Sequence, residues 1–95
     1  MTGTAYGTIV SAVSKREKLL ERCRNNPRGV AFDDLVALVT TLGFVHDRTA
    51  GGHKIFVHPD RTVPLVNLQP AKNGMAKPYQ VRQVLDLIEA HGLEV

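Results

Sequence analysis

The sequence predicts an α+β fold in which a three-stranded antiparallel sheet carries helices on one face, in the order α-α-β-β-β-α. Three observations lead to it. Two segments before residue 44 repeat apolar residues at spacings of three and four, the period of a helix with one buried face. Between residues 44 and 70, three stretches rich in β-branched and aromatic residues are separated by short breaks containing Gly, Pro or Asp, the pattern of strands joined by tight turns. A last helical pattern opens at Lys77-Pro78 and closes at Gly92. Runs of helices and strands that do not alternate favour an antiparallel sheet with helices segregated to one side.

The first helix begins at "SKREKLLERCRNN". Ser14 with Glu17 three residues on makes a capping box, each side chain satisfying a backbone N–H of the other. Leu19, Leu20 and Cys23 then share a face, and the helix ends near Asn25-Asn26-Pro27, because the residue before a proline avoids helical geometry. In "FDDLVALVTTLG", Phe32, Leu35, Val36, Val39 and Leu42 form a core-facing stripe. Asp33 and Asp34 lie at the positive end, where carboxylates cap and complement the dipole, and Gly43 marks the stop. The strands follow as "FVHDRT", "HKIFVHP" and "TVPLVNLQP". Pro64 marks an edge or an irregular start in the third. The connections "AGG" and "PDR" are short enough for hairpins. In "KPYQVRQVLDLIEAHGL", Pro78 suits the first helical position. Val81, Val84, Leu85 and Ile88 face inward, and His91 is a cation in the last turn.

A chain of 95 residues makes one domain, read here as residues 14–95. No apolar run approaches the length needed to span a bilayer. The uncharged stretch 1–13 lacks the basic start of a signal peptide and is read as a partly disordered tail of a cytoplasmic protein. The single cysteine, Cys23, permits no internal disulfide and no thiolate zinc site. It is expected as a small buried hydrophobe. The net charge of +3 is unevenly placed. Residues 1–43 hold six basic and four acidic side chains, residues 44–78 five and two, and residues 79–95 one and three. A basic centre suits a polyanion such as RNA.

Three constellations could carry chemistry. In "GGHKIF", Gly51 and Gly52 can take conformations closed to other residues and leave space around His53. Its imidazole can take or give a proton near neutral pH. Read from the residues alone, His53 is equally the polar first residue of a strand after a glycine turn. Strand alternation puts His53, Ile55 and Val57 on one face, with Lys54, Phe56 and His58 on the other. A core Phe56 then turns His53 outward, unless a bulge at the glycines intervenes. A second constellation, His46, His53 and His58, could evoke a metal site. His53 and His58 point to opposite faces of one strand and no third ligand is evident, so no metal and no cofactor is expected. In "QPAKNGMAKPYQ", Lys72 and Lys77 flank a glycine turn. Lys77 as N-cap cannot accept a hydrogen bond, so the first N–H groups of the last helix stay open for an anion such as a phosphate. Tyr79 and Gln80 stand beside it for further contacts.

Taken together, "FDDLVALVTTLGF", "RTAGGHKIFVHPD" and "LVNLQP…GMAKPYQVRQVLDLIE" closely resemble the HicA (YcfA-like) toxin family. The pattern is a helix ending in Leu-Gly-Phe, a Gly-Ser-His-like turn with an aromatic three residues on, a third strand, and a Lys-Pro-led helix. It covers roughly residues 15–92. No one motif is specific; their order and spacing are. The resemblance implies a fold like the double-stranded RNA-binding domain, metal-independent cleavage of mRNA, and neutralisation by a HicB-type antitoxin. The family's functional histidine corresponds to His53 alone. Arg48, Gly51, Gly52, Lys54, Lys72, Lys77 and Tyr79 are the candidate RNA contacts. Two departures stand out. Gly52 replaces the family's usual serine, and the leading helix with "VNLQP" makes a longer variant. The other reading of the same features is a non-catalytic module that binds RNA or a protein.

Overall fold

The computed structural model describes residues 14–95, and the expectation for residues 1–13 lies outside the described residues. Helix α1 (Lys15–Asn25) opens on the expected box. Ser14 Oγ accepts from the Glu17 N–H at 3.1 Å, and Glu17 Oε1 accepts from the Ser14 N–H at 3.2 Å. It ends where Asn26 leaves helical geometry, at φ −146° and ψ 74°, before Pro27, as the clash with the proline ring requires. Cys23 is fully buried, and burial pushes its thiol pKa up.

A short 3₁₀ turn, Pro27–Gly29, leads to α2 (Phe32–Thr41). Asp33 and Asp34 lie in its first turn, but the N-cap is Ala31 and no side chain caps it. The expected carboxylate cap is therefore replaced by a dipole interaction alone. Asp34 instead accepts from Arg22 Nη1 at 3.0 Å, linking α2 to α1. Both partners are about half exposed, so the pair contributes about 0–1 kcal/mol. The buried stripe is Phe32, Leu35, Leu38, Val39 and Leu42. Leu38 takes the place expected of Val36, which packs at the margin.

The sheet has the order β1 (Val45–Ala50), β2 (His53–Val57), β3 (Val66–Leu68), both pairs antiparallel. Gly51 and Gly52, at φ +58° and +83°, close a two-residue turn of the mirror-image type that matches strand twist. The register pairs His46 with Phe56 and Arg48 with Ile55, so Asp47 is bulged out of β1. The irregularity lies there and not at the glycines.

Strand β3 is shorter than the expected residues 62–70, and the "PDR" hairpin is in fact a longer connection, residues 58–65. Local bonds hold that backbone away from the ladder. Asp60 Oδ1 accepts from the Thr62 N–H at 3.0 Å and from Thr62 Oγ1 at 2.7 Å, and Asp60 O accepts from the Val63 N–H. Pro64 has no N–H to offer a neighbour.

Phe56, Val66 and Leu68 join the helix residues Leu35, Leu38, Val81 and Val84 in one buried cluster. Helix α3 (Pro78–His91) closes it, with Lys77 as N-cap, Pro78 in the first turn and Gly92 as a left-handed C-cap. The inner face of the sheet is thus set by Phe56, and His53 belongs to the outer face.

Candidate functional site

His53 stands at the first position of β2, opposite Ala50 at the closed end of the hairpin. The Gly-Gly turn adds no side chain beside it. A Cβ at either glycine would meet nothing within 4 Å. Along the outer face, Ile55 lies between Arg48 of β1 and Asn67 of β3. Asn67 comes from the register of β3, and it reaches diagonally to His53: its Oδ1 is 2.9 Å from His53 Nδ1. An amide oxygen only accepts, so the ring carries its proton on Nδ1. Nε2 has no hydrogen-bond partner among the described residues, and its lone pair is free to take a proton.

Asn67 was not legible as a site residue in the sequence. Its signal would have been the pairing of Ile55 with Asn67, which places the amide on the histidine's face. That register depends on where β3 begins, and the sequence pattern set the strand too long.

Behind Asn67 stands Gln80, only 4% exposed. Its Nε2 donates to Asn67 O at 3.0 Å and to the Tyr79 hydroxyl at 3.3 Å, and its Oε1 accepts from the Gln69 N–H at 3.1 Å. Gln80 is therefore a buried structural group and not the expected phosphate contact. Tyr79 is 60% exposed and adjoins the site through this bond. Lys77 Nζ donates to Gln69 Oε1 at 2.9 Å. His53, Asn67, Gln80 and Tyr79 thus form one hydrogen-bonded series, with Gln69 and Lys77 attached to it.

The remaining candidates are more scattered. Arg48 is on the outer face and pairs with Asp47 of the bulge. Lys54 turns to the other face, where its ammonium lies 5.8 Å from the Phe32 ring centroid. Lys72 is exposed in a 3₁₀ turn, Lys72–Gly74. The N-terminus of α3 offers fewer donors than expected. Pro78 has no N–H, and the Gln80 and Val81 N–H groups donate to Lys77 O at 2.9 and 3.1 Å. The open donor there is reduced to the Tyr79 N–H.

His46 and His58 are occupied elsewhere. His46 Nε2 is 3.0 Å from Thr49 Oγ1, and its ring lies against Phe56. His58 Nδ1 accepts from the Asp60 N–H while its Nε2–H donates to Leu42 O, each at 3.0 Å. It ties the end of α2 to the start of the 58–65 connection. Among the described residues, no three His, Cys, Asp or Glu side chains are grouped to hold a metal ion. No described helix is long and apolar enough to cross a membrane.

A family model described as the HicA toxin of bacterial toxin–antitoxin matches residues 32–93, well over half of the chain. The match spans α2, the sheet and α3, and leaves α1 outside. No curated protein and no solved structure matches the chain.

Proposed function

The chain belongs to the HicA toxin family of bacterial toxin–antitoxin systems, and from that premise we propose that it is a metal-independent endoribonuclease that cleaves mRNA with His53 as its acid–base group. The observation that carries the reading is the His53–Asn67 bond on the outer face of the sheet. It holds an imidazole at the surface with one nitrogen engaged and the other without a hydrogen-bond partner among the described residues.

RNA supplies its own nucleophile. In the proposed step, His53 Nε2 takes the proton of a 2′-hydroxyl, and that oxygen attacks the adjacent phosphorus. The bond from phosphorus to the 5′-oxygen breaks, and the 5′-oxygen leaves with a proton taken from solvent water, while His53 later returns its proton to solvent. The products are a 2′,3′-cyclic phosphate and a 5′-hydroxyl. The alternative assignment runs through the same nitrogen, with a protonated Nε2 giving its proton to the leaving 5′-oxygen. Arg48, on the face of His53, supplies positive charge to offset charge developing at phosphorus, and Lys72 and Lys77 add charge along the backbone path. Lys54, on the opposite face of the sheet, takes no part in this step. The Gly51-Gly52 turn leaves room for the strand to approach His53. Tyr79 lends an exposed ring and hydroxyl.

We assign the bacterial cytoplasm as the site of action and a HicB-type antitoxin as the partner. A neutralising partner would cover His53 and set acidic side chains against the basic centre.

Wild type and His53→Ala are compared on RNA with EDTA present. Wild type should cleave, and the variant should lose about 10²- to 10⁴-fold in rate, the usual contribution of a positioned acid–base group. Equal cleavage by both sinks the histidine mechanism, and cleavage that requires added metal sinks metal independence. Tight RNA binding by a wild type that does not cleave favours the binding-module reading.

A further inference from the structure

We propose that Asn67 and Gln80 form a positioning relay that fixes which nitrogen of His53 exchanges protons. The relay's effect on cleavage rests on the ribonuclease reading above, while its existence rests on geometry.

The first link is the Nδ1···Oδ1 approach of 2.9 Å between His53 and Asn67. A neutral imidazole carries one proton, and in water it resides preferentially on Nε2. Facing an amide oxygen, the proton must instead lie on Nδ1. The same bond persists when the ring is doubly protonated. Nε2 is then the only nitrogen that gains and loses a proton, and the bond also restrains rotation of the ring.

The second link is what holds Asn67. Among the described residues, strand β3 is three residues long and pairs with β2 alone. An edge strand this short has little of its own to resist fraying. Gln80 supplies the missing neighbour. Its amide donates to Asn67 O and accepts from the Gln69 N–H, spanning the two backbone groups that flank Leu68. That is the pattern of bonds a further strand would make. Leu68 is fully buried, so the segment is pinned by packing on one face and by the Gln80 amide at its edge. The second Nε2 proton goes to the Tyr79 hydroxyl. No buried side-chain nitrogen or oxygen among the described residues lacks a partner. Gln80 sits in the first turn of α3, so the start of that helix sets the backbone of Asn67, and Asn67 sets His53.

The test reads the ring directly. Protein labelled with ¹⁵N at histidine is measured by NMR, alongside kcat, KM and the pH dependence of RNA cleavage. Wild type should show His53 protonated at Nδ1. Asn67→Ala removes an exposed side chain and should leave the fold intact. It should shift the ring toward the Nε2–H tautomer and lower kcat about 10- to 100-fold with KM little changed, as expected when a reacting group loses its orientation. Asn67→Asp should restore the Nδ1–H form. It should also move the histidine-dependent limb of the pH–rate profile to higher pH, because a carboxylate favours the imidazolium. Gln80→Met keeps the side-chain volume but loses the amide. In a folded variant it should repeat the tautomer shift in part and speed hydrogen exchange at the Gln69 N–H.

Retention of the Nδ1–H tautomer in Asn67→Ala overturns the relay, whatever the activity. An unchanged tautomer in folded Gln80→Met removes Gln80 from it; should that variant not fold, Asn67→Ala decides alone. A shifted tautomer with unchanged kcat overturns the positioning role. A shifted tautomer together with full cleavage by His53→Ala upholds the geometry and overturns the ribonuclease reading.

Discussion

Single residues in this molecule are constrained by backbone conformation as much as by side-chain partners. Gly52 is the clearest case. It stands where the family resemblance expects a serine, yet its φ of +83° is disfavoured for any residue with a Cβ. Space is not the obstacle, because a Cβ there meets nothing. Gly52→Ser should therefore fold and lose about 1–2 kcal/mol, seen as a lower Tm in thermal unfolding. Gly43 shows the opposite limit. It has φ +103°, and a Cβ would lie 2.9 Å from His58 Nε2, so Gly43→Ala should break the His58–Leu42 bond as well as strain the turn. Its Tm should fall further than that of Gly52→Ser. Asp60 illustrates charge at the same scale. The Thr62 side-chain and backbone donors hold its carboxyl below the usual range. A depressed carboxyl pKa means stability that is present above the unfolded value and is lost as pH falls through the folded one. The stability of wild type should drop on going from neutral pH to below about 3.9 more than that of Asp60→Asn, as followed by urea unfolding at several pH values.

At the scale of elements, the helices were legible in the sequence and the sheet only partly so. The Ser14–Glu17 box, the α2 stripe and the Lys77-Pro78 start are signals within a few residues of the feature they specify, and helical hydrogen bonds close over four residues. The hairpin that joins β1 to β2 also followed from local signals, because the Gly-Gly turn sets where one strand stops and the next starts, whereas β2 ends at Val57 rather than at Pro59. Strand β3 did not. Its limits depend on a hydrogen-bonded connection, Asp60 to Val63, and on Gln80 arriving from α3, which is remote in sequence. Alternation set Phe56 and His53 on opposite faces and packing buried the Phe56 side, but the bulge at Asp47 follows no obvious sequence signal. Leu35 of α2 is fully buried in the core cluster. Leu35→Ala should cost about 2–5 kcal/mol, measured by denaturant unfolding, without direct effect on His53.

Over the whole molecule, the segment 44–78 that carries the histidine holds five basic and two acidic side chains, while the closing helix is acidic. Binding to single-stranded RNA should weaken with salt, since each neutralised phosphate releases counterions. Replacing Lys72 by Ala should weaken binding uniformly across RNA sequences and reduce the salt slope by about one unit or less, read by fluorescence titration at several salt concentrations. The candidate site divides along the same line as the fold. The sequence by itself determined the helices, the glycine hairpin, the opposite facing of His53 and Phe56 and the basic centre, because each rests on neighbours a few residues apart. Only the tertiary structure decided that Asn67 meets His53, that Gln80 is buried behind it, and that Lys54 faces the other side of the sheet. Those placements depend on strand register and on a helix docking against a distant edge, where one residue of slip exchanges the two faces of a strand.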